Sequence, residues 1–171
     1  NPCGEIPLLP HESCNLGSLN LPHFLADNSH EPSMHWEKLQ GAVHQAVRFL
    51  DNLIEVNYFP TAAIAAQSRG NRKIGLGVMG LAEVLLRLGL PYASDEALNF
   101  GRTLIKFITQ EAHHASEQLA EERGVFPNWP HSVYAPANQK RRNATCTAML
   151  ENWNPRNCAW EFGARDSIAI N

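Results

Sequence analysis

No stretch of this 171-residue sequence holds the roughly 20 consecutive apolar residues of a bilayer-spanning helix, so no membrane partner is expected. Positive charge is not in excess: 14 Lys and Arg stand against 17 Asp and Glu, a formal net charge of -3. A sequence-independent nucleic-acid binder normally carries a basic surplus, so no nucleic-acid partner is expected either. Cysteine is sparse, with only Cys3, Cys14, Cys146 and Cys158. Their spacings contain no CxxC, which argues against a zinc ribbon or a thioredoxin-type motif, and four thiols are too few for a secreted disulfide scaffold. A cytoplasmic location with reduced thiols is the expectation. There is no HExxH among the eight histidines. The pair His113-His114 is adjacent, and adjacent helical residues do not share a face, so no metal site is expected. Aromatics make up 8% and charged residues 18%, but the 44% hydrophobic fraction suffices for a core.

The chain opens at Asn1 without a basic, apolar, then small-residue leader, so no secretory signal is expected and the sequence reads as an internal fragment. Residues 1–22, with prolines at 2, 7 and 10, read as loop and short strand. Residues 23–33 read as a polar turn. Trp36, Leu39, Val43, Ala46, Val47, Leu50, Leu53 and Ile54 recur at helical steps, with Ser33 as N-cap and an end near Asn57. A short helix is expected over 61–68, a polar turn over Arg69 to Arg72, and a buried strand over Lys73 to Met79. Leu81 to Leu88 reads as helix, stopped by Gly89 and Pro91. Ser94 caps a long helix with Asp95 and Glu96 in its first turn, a stripe of Leu98, Ile105, Ile108, Ala112, Ala115 and Leu119, and Gly124 at its end. Ala144 to Leu150 reads as a strand. Strands alternating with helices predict an α/β class.

The opening Asn-Pro-Cys-Gly-Glu carries chemistry. In an extended chain the side chains of Asn1, Cys3 and Glu5 share one face, while Pro2 and Gly4 point away. The amide can orient a hydroxyl and the carboxylate can act as general base. A carboxylate beside a thiol disfavours the thiolate, so a neutral thiol that gives up a hydrogen atom fits better than a papain-type nucleophile.

Asn-Pro-Cys-Gly-Glu-Ile-Pro-Leu-Leu, followed by Glu-Ser-Cys-Asn-Leu-Gly-Ser-Leu-Asn-Leu, resembles the finger-loop region of ribonucleotide reductases, most nearly the adenosylcobalamin-dependent class. Asn71-Arg-Lys-Ile-Gly-Leu-Gly-Val-Met-Gly-Leu-Ala82 and Arg142-Asn-Ala-Thr145 look like two further blocks of that family, in the expected order. The resemblance implies radical reduction of ribonucleotides to deoxyribonucleotides, with adenosylcobalamin as cofactor. It implies a ribonucleotide substrate, a thioredoxin-type reductant, room for a nucleotide allosteric effector, and a partial ten-stranded α/β barrel with a finger loop. By matching position, Cys3 would carry the thiyl radical and take the 3′ hydrogen. Glu5 would remove the 3′-hydroxyl proton, and Asn1 would hold the ribose hydroxyls. Cys14 would be one of two thiols that reduce the substrate and become a disulfide; its partner lies upstream in the family. Eleven residues after Cys3, it could return to the same pocket if the chain turned around Pro10 to Glu12.

The likeness covers residues 1–145, expected to be a fragment of the barrel domain. In the family a Pro-Thr-Gly-Thr phosphate turn follows the third block. Here the chain reads Cys146-Thr-Ala-Met-Leu-Glu-Asn-Trp, so residues 146–171 are expected to be a divergent tail, through an intein junction, a truncation or a frame shift. The fragment by itself is expected to be inactive and only marginally stable. A rival motif stays open: Gly75-Leu-Gly77-Val-Met-Gly80 fits the dinucleotide fingerprint GxGxxG, with Asp95 about 20 residues on, as in a nicotinamide-dependent hydroxyacid dehydrogenase. A non-catalytic helical fragment is the third reading.

Overall fold

The computed structural model describes residues 8–26, 32–132 and 134–135. Helix α1 runs from Trp36 to Val56, and its buried residues Leu39, Val43, Val47, Leu50 and Ile54 recur at steps of three and four. The helix begins later than Ser33 because Ser33 belongs to a strand. Strands β2 (Leu25–Ala26) and β3 (Ser33–Met34) pair antiparallel, Leu25 opposite Met34. The segment expected to be only a polar turn therefore contributes two buried apolar side chains, preceded by a 3-10 turn over Leu21–Phe24. His35 takes over the cap of α1, its Nδ1 accepting from the Lys38 N–H at 3.3 Å.

Helix α2 spans Ala62–Asn71, capped by the Thr61 hydroxyl. It continues through Arg69 and Gly70, where the sequence predicts a turn. The reversal is instead made by one residue, Arg72, in the left-handed region at φ 49. That conformation costs a non-glycine residue roughly 1–2 kcal/mol, and it persists here because the guanidinium is tied down on α1. Asn128 explains Gly70: a Cβ there would lie 2.7 Å from the Asn128 side-chain nitrogen.

Strand β4 (Ile74–Met79) pairs parallel with β1 (Asn15–Asn20), in register from Asn15–Ile74 to Asn20–Met79, with α1 and α2 forming the crossover. The pair lies on α1, with the position of a Gly17 Cβ 3.6 Å from Leu50. Ile74 is fully buried, but Leu16 and Met79 are more than half exposed, so β4 is covered on one face rather than buried throughout. Helix α3 (Leu81–Arg87) follows at once.

Helix α4 (Asp95–Arg123) starts on Ser94, whose hydroxyl accepts from the Ala97 N–H at 3.2 Å, and ends at Gly124 with φ 85. Its buried row is Ala97, Leu104, Ile108, Ala112, Ala115 and Leu119, of which Leu104 onward share one core cluster with α1. The predicted stripe is right in its C-terminal half. Leu98 and Ile105, however, sit one residue round the helix from Ala97 and Leu104 and are 51% and 43% exposed. Trp36 meets Phe107 edge-on at 4.9 Å, bridging the start of α1 to α4.

The architecture is mixed α and β, as the sequence predicts. The described residues form two two-stranded sheets, and no closed barrel is seen among them. No helix among them is long and apolar enough to cross a membrane.

Candidate active site

Of the four residues that the sequence nominates, Asn1, Cys3 and Glu5 lie outside the described residues, as do Cys146, Cys158 and the block Arg142 to Thr145. Cys14 is described. Its thiol is half-buried and stands immediately before β1. The turn anticipated around Pro10 to Glu12 is present: the Glu12 N–H donates to the Leu9 carbonyl at 3.0 Å, and His11 has φ 64. Proline in second place and a positive φ in third is the pattern of a type II turn.

The residues flanking Cys14 are fastened to α1, to α2 and to Lys73 just before β4. Glu12 Oε2 accepts from Lys73 Nζ at 2.7 Å and from the Leu9 N–H at 2.7 Å, while Oε1 accepts from Asn71 Nδ2 at 2.6 Å. The Glu12 side chain is 0% exposed and that of Lys73 8%. The Ser13 hydroxyl shares a hydrogen bond with the Ser68 hydroxyl of α2 at 2.9 Å, and Asn15 Nδ2 donates to the Leu50 carbonyl of α1 at 3.3 Å. Asn71 in turn accepts from Asn128 Nδ2 at 2.7 Å. Thus the first two sequence blocks, far apart in the chain, meet at the head of the parallel strand pair.

A second polar centre lies beside it. Asp51, buried on α1, accepts from Arg72 at 2.6 and 2.9 Å and from Arg123 at 2.7 Å. Glu55 also pairs with Arg72. Burial pulls the Arg72 pKa down, but the hydrogen bonds and charges of Asp51 and Glu55 outweigh it, and the net direction is up. These groups line an open cleft of about 520 Å³ with Leu119, Gly124, Val125 and Pro127. Charge in the cleft is balanced, two guanidinium groups against two carboxylates.

The dinucleotide-turn reading of Gly75, Gly77 and Gly80 does not survive the geometry. Gly75 and Gly77 lie inside β4, not in a turn. Only Gly80 joins strand to helix, and its space is taken by Pro22: a Cβ there would come within 2.5 Å of Pro22 Cδ. The helix that follows has seven residues, and Asp95 opens α4 rather than ending a second strand. Here glycine serves strand–helix packing. The histidines supply no metal cluster among the described residues. His44 instead bonds Glu111 at 2.9 Å, across α1 and α4.

Sequence reasoning missed Glu12, Lys73, Asp51 and Asn128. The available signal was a charge next to an apolar segment: Lys73 directly precedes a strand, and Asp51 falls on the apolar face of α1.

The family model for the ribonucleotide reductase barrel domain matches residues 1–169. The chain belongs to the ribonucleotide reductase family. Among curated ribonucleotide reductases, it is 50% identical over 149 residues to the vitamin B12-dependent ribonucleoside-diphosphate reductase of Mycobacterium tuberculosis (strain CDC 1551 / Oshkosh), covering 87% of this chain and 21% of the relative. It is 49% identical over 149 residues to the vitamin B12-dependent ribonucleoside-diphosphate reductase of Thermoplasma acidophilum, covering 87% of this chain and 19% of that one. With the ribonucleoside-diphosphate reductase subunit alpha of Chlamydia muridarum it shares 41% identity over 185 aligned positions, 97% of this chain and 17% of the relative. The chain therefore spans about a fifth of the length of the reductases it matches.

Proposed function

We propose that this chain forms part of the catalytic barrel of an adenosylcobalamin-dependent ribonucleotide reductase, acting in the cytoplasm on ribonucleotides to supply DNA precursors. The observation that carries this reading is a family match across residues 1–169, joined to half-identity with reductases named vitamin B12-dependent. The β1–β4 pair would be two neighbouring strands of that barrel, since parallel strands are stable only as part of a larger covered sheet.

In this reading Cys3 takes the 3′ hydrogen of the ribose as a thiyl radical and returns a hydrogen at the end. Asn1 orients the ribose hydroxyls. Glu5 accepts the 3′-hydroxyl proton while the 2′-hydroxyl leaves as water. Cys14 and a second cysteine thiol supply two electrons and two hydrogens. The net change balances: ribonucleotide plus two thiols gives deoxyribonucleotide, one disulfide and water. A thioredoxin-type dithiol then reduces the disulfide, and a nucleotide effector has room to act elsewhere in the protein.

The cleft at Asp51 does not fit a corrin ring. Its walls are ion-paired side chains, and it has neither a broad apolar floor nor an imidazole. The cofactor would therefore be held elsewhere than in this cleft, and none of the steps above passes through it.

The test uses Cys3→Ser and Cys14→Ser in the full-length reductase with adenosylcobalamin. An O–H bond is much stronger than an S–H bond, so Cys3→Ser is expected to lose both exchange of the 3′ hydrogen and turnover. Cys14→Ser is expected to lose dithiol-driven turnover and keep the exchange. Turnover by the Cys3 variant, or equal loss of exchange in both, overturns the reading.

A further inference from the structure

The Glu12 carboxylate is more completely buried than any role as a surface charge requires, at 0% exposure of its side chain. A carboxylate is stable in such a place only when its partners are already there. Glu12 has three: the Leu9 N–H, Asn71 Nδ2 and Lys73 Nζ, at 2.7, 2.6 and 2.7 Å. It also closes the turn at residues 9–12 from both sides, because its own N–H donates to the Leu9 carbonyl. That closure sustains the left-handed backbone at His11, a conformation that a non-glycine residue adopts only where its surroundings dictate it.

The consequence falls on Cys14. In the ladder Asn15 faces Ile74, so Cys14 and Lys73 are the residues immediately before the first paired position of each strand. Fixing Glu12 on Lys73 and Asn71 fixes where the Cys14 segment enters the sheet. Two further ties of this segment, Ser13 to Ser68 and Asn15 to Leu50, are single neutral hydrogen bonds, the latter long at 3.3 Å. The charge-assisted pair from Asn71 and Lys73 is a stronger anchor than either. Asn71 is itself held by Asn128, whose amide occupies the space that Gly70 leaves open, so the anchor on the β4 side is rigid.

We infer that Glu12 is a positioning residue for the Cys14 thiol, acting through the Lys73 ammonium and the Asn71 amide at the head of β4. The inference rests on the reading of Cys14 as a redox thiol. Its physical reason is geometric: two cysteines bridge only when their Cα atoms come within about 4.4–6.8 Å with their Cβ vectors converging. A segment free to wander by about 1 Å meets that condition far less often, and reaction rate falls with it. Glu12 makes no claim on the ribose or on the 3′ hydrogen, so the radical step is expected to be indifferent to it.

The test compares Glu12→Gln with the double variant Glu12→Gln/Lys73→Met in the full-length reductase. The double variant removes the buried charges together, which folds tolerate far better than removing one partner, so it decides the question even where Glu12→Gln fails to fold. Three quantities are read: dithiol-driven turnover, exchange of the substrate 3′ hydrogen, and the rate at which iodoacetamide alkylates Cys14, followed by mass spectrometry. For the double variant, turnover is expected to fall by at least about tenfold while exchange stays within about threefold of the parent. Alkylation of Cys14 is expected to accelerate several-fold relative to the other thiols. Parental turnover and alkylation in the double variant would mean that only charge balance mattered, and would overturn the inference. Exchange falling in step with turnover would overturn it too. The alkylation rate separates the two proposals. If Cys14→Ser turns over normally, the redox reading fails. An unchanged alkylation rate in the double variant removes Glu12 as a positioning residue whatever Cys14 does.

Discussion

Replacing Gly80 with alanine separates two costs that glycine conceals. At φ 79 the residue is left-handed, which strains alanine by roughly 1–2 kcal/mol. The smaller entropy of the unfolded alanine chain offsets about 0.4–1 kcal/mol of that. The new Cβ would also lie 2.5 and 2.9 Å from two ring carbons of Pro22 and 3.1 Å from Asn20 Oδ1. A proline ring cannot swing aside, so overpacking adds about 1–3 kcal/mol. The expected total is about 1–5 kcal/mol, centred near 3. Gly89 provides the control: its φ is 69 and nothing lies within 4 Å of its Cβ position, so Gly89→Ala is expected to cost only about 1 kcal/mol. Gly41, inside α1 with open space beside it, is expected to gain about 0.5–1 kcal/mol from alanine. Urea unfolding measures all three. With a slope of about 2 kcal/mol/M, the Gly80 variant shifts the midpoint down by about 1.5 M, within a range of about 0.5–2.5 M. No nucleotide is needed for that loss. Costs at Gly80 and Gly89 that agree within about 0.5 kcal/mol would refute the Pro22 contact as the reason for glycine at position 80.

Asp51→Ala is expected to destabilise by roughly 1–3 kcal/mol in the same assay, because it leaves the Arg72 guanidinium with only the exposed Glu55 as an acidic partner. Arg123, at 38% side-chain exposure, adds little through solvent screening, and a loss below about 1 kcal/mol would contradict the account. Glu111 is held below the usual carboxylate range by the Gln40 hydrogen bond first and that of His44 second. A depressed carboxylate contributes stability above its ordinary value of 4.5 and loses it as pH falls through the folded value. The gap between parent and Glu111→Gln in thermal midpoint is therefore expected to be full at neutral pH and to close in acid; a gap that widens in acid would reverse the sign. Ser94→Ala is expected to cost about 1 kcal/mol by orphaning the Ala97 N–H, read as increased amide exchange in the first turn of α4.

Much of the helical framework was legible in the sequence. Periodicity located α1 and α4 because each buries one continuous apolar row, and Ser94 and Gly124 marked the limits of α4 as capping chemistry predicts. Where two apolar rows run side by side, periodicity alone could not choose, and Leu98 and Ile105 were placed on the wrong one. Ser33 was misread as a cap because a two-residue ladder to Ala26 is too short to leave a pattern. The site was half legible. Cys14 was nominated by the family resemblance, with the turn before it as the condition for bringing two thiols together, and the structure contains that turn; the Glu12–Lys73 pair depends on strand register across a long crossover, which local sequence does not encode. Asn1, Cys3 and Glu5 were nominated from motif chemistry and lie outside the described residues.

The register of β1 on β4 also bears on synthesis. Asn15 pairs with Ile74, a separation on the order of 60 residues, and no nearer strand offers β1 a parallel partner among those described. A ribosome adding about 5–20 residues per second leaves β1 waiting several seconds before β4 emerges. During that interval α1 is complete, while α2 emerges only just ahead of β4. The Cys14 thiol is then presented at the edge of an unpaired strand, and Glu12 has no Lys73 to meet. Nascent chains are therefore most open to thiol modification and edge-to-edge association before residue 74 leaves the exit tunnel. Pausing translation ahead of that point should raise capture of Cys14 by a small alkylating agent.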